Sequence, residues 1–184
     1  MKRFKISPEE TSFYYSTCTV VAWLPVFQDE SYFQIIIDSL NYCRTNKGLF
    51  LLGFVIMPTH IHMITSNQPY TLLSDIMRDF RAYTSRKIRE QLEQDGRLGY
   101  LKVFKNSAKN LSKQQYRIWQ EDYHPVALYS DKWFHQKMNY VHDNPVRKGF
   151  VDLPEHWKYS SARSWILDDD RLIHIDKQCL FGEG

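Results

Sequence analysis

The stretch Leu49–Ser66, LFLLGFVIMPTHIHMITS, decides the fold. Its first half, Leu49–Met57, is apolar apart from one glycine and too short for an ordinary helix, so it reads as a buried strand. Pro58-Thr59 interrupts the run, because proline offers no backbone N–H to a ladder. His60–Ser66 then resumes as a second strand, and the two segments pair as antiparallel neighbours across the bend. Helical patterns lie on both sides of this hairpin. Before it, Tyr32, Ile36, Leu40 and Cys43 recur at helical spacing within Ser31–Lys47, with Phe33 and Ile37 widening the stripe and Gly48 placed to cap the end. After it, Thr71–Leu92 repeats the pattern with Leu72, Ile76, Phe80 and Ile88 inward, closing near Gly96.

Further out, Phe13–Val21 (FYYSTCTVV) is aromatic and β-branched and reads as a strand. Gly96–Lys113 is polar, basic and weakly patterned, and is expected to be a mobile loop. Tyr116–Leu128 holds a further strand broken at Pro125. Ser130 is placed to cap a third helix ending near Asp143, since Pro145 disfavours helical geometry at Asn144. The order β-α-β-β-α-β followed by a helix predicts an α+β, ferredoxin-like fold. Its antiparallel sheet carries helices on one face and is joined by a C-terminal helix bearing Tyr140. The chain of 184 residues reads as a single domain, 1–184, with a core over about 13–165 and a tail over 166–184.

Composition excludes several classes. Hydrophobic residues at 43% and charged residues at 24% match a globular chain and argue against disorder. No apolar run reaches the ~18 residues of a membrane span, and the N-terminus lacks the apolar core of a signal peptide. The 3 cysteines (Cys18, Cys43, Cys179) are widely spaced, which fits a reducing cytoplasm better than a disulfide framework. Between Ile76 and Arg117, 11 lysines and arginines oppose 4 acids, so this segment carries +7 and the rest of the chain −4. Such asymmetry suits a polyanion, although a solvated helix face would look the same. The 12 Tyr, 11 Phe and 5 Trp are more aromatics than a core of this size needs, which leaves some to stack on bases.

Two local patterns carry chemistry. On a strand, His60 and His62 point to one face, so their imidazoles stand side by side and could share a divalent metal. Two packed strand histidines are the alternative. On the third helix Tyr140 and Asn144 are one turn apart, with Trp133 and Lys137 extending that line and Phe134, Met138 and Val141 forming an apolar stripe beside it. This face offers a nucleophile and a neutral oxygen ligand, or equally a packed tyrosine and a helix-ending asparagine.

FVIMPTHIHMI, WQEDYHPVALYSDKWFHQKMNYVHDNPVRKGFV and HWKYSSARSW, spread over about Phe13–Trp165, resemble the REP-associated tyrosine transposases. These belong to the single-tyrosine transposases with a histidine–hydrophobic–histidine motif. The resemblance implies that His60 and His62 bind metal, that Asn144 is the third ligand where relatives often use Gln, and that Tyr140 is the nucleophile. It implies Mg²⁺ as cofactor, with Mn²⁺ able to substitute. The implied partner is single-stranded DNA with a hairpin, cut and resealed through a 5′-phosphotyrosine link, with self-association possible. The implied location is the bacterial cytoplasm, at the nucleoid when DNA is bound. Phosphate contacts are expected from Arg78, Arg81, Arg86, Lys87, Lys102, Lys105 and Arg147. Trp119-Gln120 and Tyr123-His124-Pro125 also match family positions, with a structural role as open as DNA contact. The competing readings are a hairpin-binding protein that no longer cuts, a metal-dependent phosphoesterase that does not need Tyr140, and a generic ligand-binding domain.

Overall fold

The computed structural model describes residues 13–109, 115–121 and 123–177. Lys113 of the basic stretch, Cys179 and the end of the tail lie outside the described residues. Four strands, β1 (Phe13–Thr19), β2 (Leu49–Met57), β3 (His60–Asn67) and β4 (Val126–Leu128), form one sheet in the order β2-β3-β1-β4. All neighbours are antiparallel. This is the split β-α-β arrangement expected from the sequence, with β3 inserted between β1 and β2.

The alternation of β1 and β3 sorts side chains into two layers. Tyr14, Cys18, Ile61 and Met63 face a large core closed by α1 (Glu30–Lys47) and α2 (Leu73–Gln94). The inner face of α2 begins at Leu73; Leu72, expected there, is exposed at the helix entrance. Ile64, with Leu52, Val55 and Met57 of β2, faces a smaller core covered by α4 (Asp131–His142) through Phe134, Met138 and Val141. The tyrosine helix therefore lies across the sheet from α1 and α2. Gly53 permits this packing: a Cβ there would sit 2.6 Å from Met138 Sδ.

One expectation fails and another is met by a short strand. Gly96–Lys113 is not a loop throughout but contains α3 (Leu98–Ser107), which buries Leu101 and Phe104. Lys102 and Lys105, next to these residues, obscure a short helical period. Among the described residues, Tyr116–Leu128 holds its further strand as the three-residue β4, starting directly after Pro125, together with an isolated bridge from Trp119 to Val20.

β2 is an edge strand, and the chain from Trp157 to Asp176 covers it. Ile56 N donates to Tyr159 O at 2.9 Å and Phe54 N to Ser161 Oγ at 2.8 Å. Trp157 Nε1 donates to Ile56 O and Trp165 Nε1 to Leu52 O. Leu51 N donates to Asp176 Oδ2 at 2.8 Å, and Arg44 grips the same carboxylate with two hydrogen bonds of 2.6 and 2.8 Å. An edge that would otherwise be open to another chain is thereby occupied. The short helices α5 (Asn144–Arg147) and α6 (Ala162–Leu167) flank this return. Among the described residues no helix is long and apolar enough to cross a membrane.

Candidate active site

β3 carries His60 and His62 on the face that α4 covers, and both are buried. Their ring centroids are 4.6 Å apart. Pairing with β1 sets Thr17 beside His62 and Thr19 beside His60. Tyr15 Oη and Thr17 Oγ1 each lie 2.9 Å from His62 Nδ1, and Thr59 Oγ1 lies 2.9 Å from His60 Nδ1. A hydroxyl can accept an Nδ1–H, and a ring with its proton there presents a lone pair at Nε2. Burial, with the charge of Lys148 adding, holds His60 down at about 4. Burial, reinforced by His60, Arg147 and Lys137, takes His62 to about 3. Both rings are therefore neutral at physiological pH, as ligation requires.

Ser130 caps α4, its Oγ accepting from Trp133 N at 3.3 Å. The buried stripe of Phe134, Met138 and Val141 then turns Tyr140 toward the histidines. Its ring centroid is 5.3 Å from that of His62 and 6.1 Å from that of Tyr15, and the residue stays 37% exposed. The Arg147 guanidinium sits over the Tyr140 ring at 4.2 Å and donates to Tyr140 O at 2.8 Å. Lys137 Nζ lies 4.5 Å from the Tyr15 ring and 5.5 Å from the Tyr140 ring. Burial first of all pushes Tyr15 up to about 12, so it stays a protonated hydrogen-bonding partner of His62.

Asn144 is buried, one turn beyond Tyr140, and its Oδ1 has no hydrogen-bond partner. A buried carbonyl oxygen without a donor is costly unless something electropositive completes it. Among the described residues no group of three or more His, Cys, Asp or Glu side chains is placed to hold a metal. The two neutral imidazoles and the unpartnered Asn144 oxygen are therefore the groups that could serve as donors to a dication.

The family described as "Transposase IS200 like" has a sequence model that matches residues 24–144, more than half of the chain, including both histidines, Tyr140 and Asn144. The chain belongs to the IS200-like transposase family. It is also 34% identical over 55 residues to a Haemophilus influenzae protein named as a REP-associated tyrosine transposase. That match covers 28% of this chain and 31% of the relative, so it spans about a third of the curated protein's length. A solved REP-associated tyrosine transposase bound to a REP hairpin superimposes with a TM-score of 0.66. It covers 96% of this chain and 90% of that one at 16% identity, which shows a shared fold.

The predicted phosphate contacts of this IS200-like transposase divide sharply. Arg147 stands at the site. Arg78, Arg81, Arg86 and Lys87 belong to α2, in the opposite layer of the sheet. Arg78 is bound to Asp75 and Asp79, and Lys87 to Glu90. Arg86 lies over the Tyr83 ring, 3.9 Å from Glu90. Arg81 donates to Gln120 O and lies over the Tyr123 ring. Lys102 and Lys105 are exposed on α3. Trp119 is structural: it is buried, and its Nε1 donates to Thr84 Oγ1 at 3.0 Å. Gln120 is tied to β1 by its N–H, which donates to Thr19 O at 2.8 Å.

Tyr15 and Thr17 escape the sequence reading. Their period-2 spacing on β1 puts them on one face, but only the β1–β3 register reveals that they serve His62.

Proposed function

We propose that this transposase cleaves and rejoins single-stranded DNA beside hairpins through a covalent bond between Tyr140 and a 5′-phosphate. The observation that carries this reading is Tyr140 at 5.3 Å, ring to ring, from a buried neutral His62 while still 37% exposed. A nucleophile beside a ligand pair and open to solvent can meet an incoming phosphate.

In cleavage the Tyr140 Oη–H bond breaks and its proton passes to water. Oη bonds to phosphorus, the P–O3′ bond breaks, and the 3′-oxygen takes up a proton. The phosphodiester is exchanged for a phosphotyrosine, so a later 3′-hydroxyl can reverse the step without an energy source. His60 Nε2, His62 Nε2 and Asn144 Oδ1 would hold Mg²⁺ or Mn²⁺, which when bound polarises a phosphate oxygen and offsets charge in the transition state. Thr59, Tyr15 and Thr17 orient the imidazoles, while Arg147 and Lys137 bring positive charge to where the phosphate enters.

The donor set is uncharged, and three cations lie nearby, so a dication is held weakly until a phosphate joins it. A dication would therefore bind weakly to the protein alone and more tightly once DNA is present. The protein acts at DNA.

The test is incubation with a labelled hairpin oligonucleotide from the repeats beside this chain's own gene, with Mg²⁺ or Mn²⁺, followed by denaturing electrophoresis. A covalent adduct forms with the wild type and disappears in Tyr140→Phe and His62→Ala. An adduct that survives Tyr140→Phe refutes the assignment. Hairpin binding without any adduct from the wild type identifies a binding protein that does not cut.

A further inference from the structure

Directly after β1 the chain makes a one-turn 3-10 helix, Val21–Trp23, in which Ala22 (φ 56) and Trp23 (φ 54) both adopt left-handed backbone. For two consecutive residues with side chains this conformation is costly, and it persists only where the surroundings enforce it. Here they do. Val21 N donates to Ile118 O at 2.8 Å, Trp23 N to Val20 O at 3.0 Å, and Val20 N to Thr59 O at 2.9 Å. Thr59 is also the residue whose hydroxyl meets His60. The strained turn and the histidine thus share one anchor.

The result is an indole held beside the site. Trp23 is 57% exposed, its ring centroid is 5.7 Å from that of His60, and the two planes meet at 73°. The indole does not lie flat on the imidazole, and most of its surface stays open to solvent. Apolar packing explains neither the exposure nor the strain. The charge of Lys148 also reaches His60. An open aromatic ring thus stands beside one candidate ligand of the site, within reach of a cation's charge, the combination that single-stranded nucleic acid needs for its bases and its backbone.

We infer that Trp23 is a stacking platform for the unpaired nucleobase adjoining the scissile phosphate, on the His60 side of the site. The inference rests on the DNA-cleaving reading above and adds a residue that fixes the strand rather than one that reacts. Every base has a π-face, so Trp23 sets position without selecting among bases.

Binding is measured in a Tyr140→Phe background, where no adduct forms. The probe is the same labelled hairpin oligonucleotide with its single-stranded extension, together with a series carrying one abasic position at each step along that extension. Trp23→Ala weakens binding about 5- to 150-fold, the range for loss of one base–aromatic stack, and Trp23→Phe restores most of it. One abasic position reproduces the loss, and Trp23→Ala adds nothing to it there. Mn²⁺ affinity without DNA, read by electron paramagnetic resonance, stays at the Tyr140→Phe value. Unchanged binding by Trp23→Ala overturns the inference, as does a loss that is additive at every abasic position. A parallel loss of Mn²⁺ affinity also overturns it, because Trp23 would then only support His60. If the wild type forms its adduct while Trp23→Ala binds normally, the stacking inference alone falls. If no hairpin oligonucleotide binds at all, both readings fall.

Discussion

Ser161 links the tyrosine helix to the edge of the sheet, and its removal has a calculable cost. Its hydroxyl is buried, accepts from Phe54 N at 2.8 Å, and lies 2.8 Å from His142 Nε2 and 3.2 Å from Phe54 O. Phe54 follows the irregularity at Gly53, where the β2–β3 register shifts, so Ser161 serves backbone groups on the outer side of the strand. Ser161→Ala strands a buried backbone N–H and a buried imidazole nitrogen. Each orphan costs about 1–3 kcal/mol, and partial relaxation brings the expected total to about 2–4 kcal/mol. For a chain of this length, that lowers the melting temperature by roughly 4–16 °C. The end of α4 also loses its tether two residues beyond Tyr140, so adduct formation slows even at temperatures where the variant is folded. His142→Leu removes the other partner. The double variant Ser161→Ala/His142→Leu is then less destabilised than the sum of the single changes by about 1 kcal/mol or more, because the imidazole is no longer left unpaired. Urea unfolding of the four proteins measures the coupling. A loss below about 0.5 kcal/mol for Ser161→Ala, or strict additivity in the cycle, refutes the tether.

Three further outcomes follow from the same geometry. Asp176→Ala removes the carboxylate that holds Arg44 and Leu51 N, at a cost of about 3 kcal/mol; since both side chains are nearly buried, urea midpoints at low and high NaCl should show the same loss, and a loss that vanishes in salt contradicts the pairing. Gly53→Ala forces the terminus of Met138 back by about an ångström from the 2.6 Å approach, costing roughly 1–2 kcal/mol; Met138→Val in the same chain recovers part of it, and additive unfolding energies would count against the contact. Burial lowers His142 to about 4, so between pH 6.5 and 4 the unfolded chain binds a proton that the native one refuses. The neutral ring's contribution, on the order of 3 kcal/mol, is complete above pH 6.5 and lost as pH falls through about 4. The stability gap between wild type and His142→Gln should therefore narrow from pH 7 to pH 4, and a constant gap would contradict it.

The sequence carried the layers and the reacting groups more clearly than their supports, and the reason is physical. Leu49–Met57 and His60–Ser66 declare themselves because apolar continuity and period-2 alternation are local signals. His60-Ile61-His62 fixes its own side-chain directions once the strand is granted, and Tyr140 and Asn144 do so once the helix is. Tyr15 and Thr17 are different: what makes them functional is a β1–β3 register closed across more than forty residues, which no local pattern encodes. The same holds for Asp176, an ordinary acid in a tail without a motif, which proves to hold both α1 and the edge strand. Charge was the misleading signal. The +7 segment reads as one patch in sequence, yet α2 carries five of its cations in the layer opposite the histidines, and Arg78 and Lys87 are closed onto acids of their own helix. Composition counts charges but not the sheet that separates them from the site. Beside the candidate site itself, the cations are Lys137, Arg147 and Lys148, which the tyrosine helix and the residues after it deliver together with Tyr140, the proposed nucleophile. A neutralising change at Arg147 should therefore weaken DNA binding more than one at Arg78. The salt dependence of hairpin binding measures the difference, because its slope falls by about one neutralised phosphate for Arg147 and stays at the wild-type value for Arg78. Equal effects of the two changes would place the DNA across both layers of the fold.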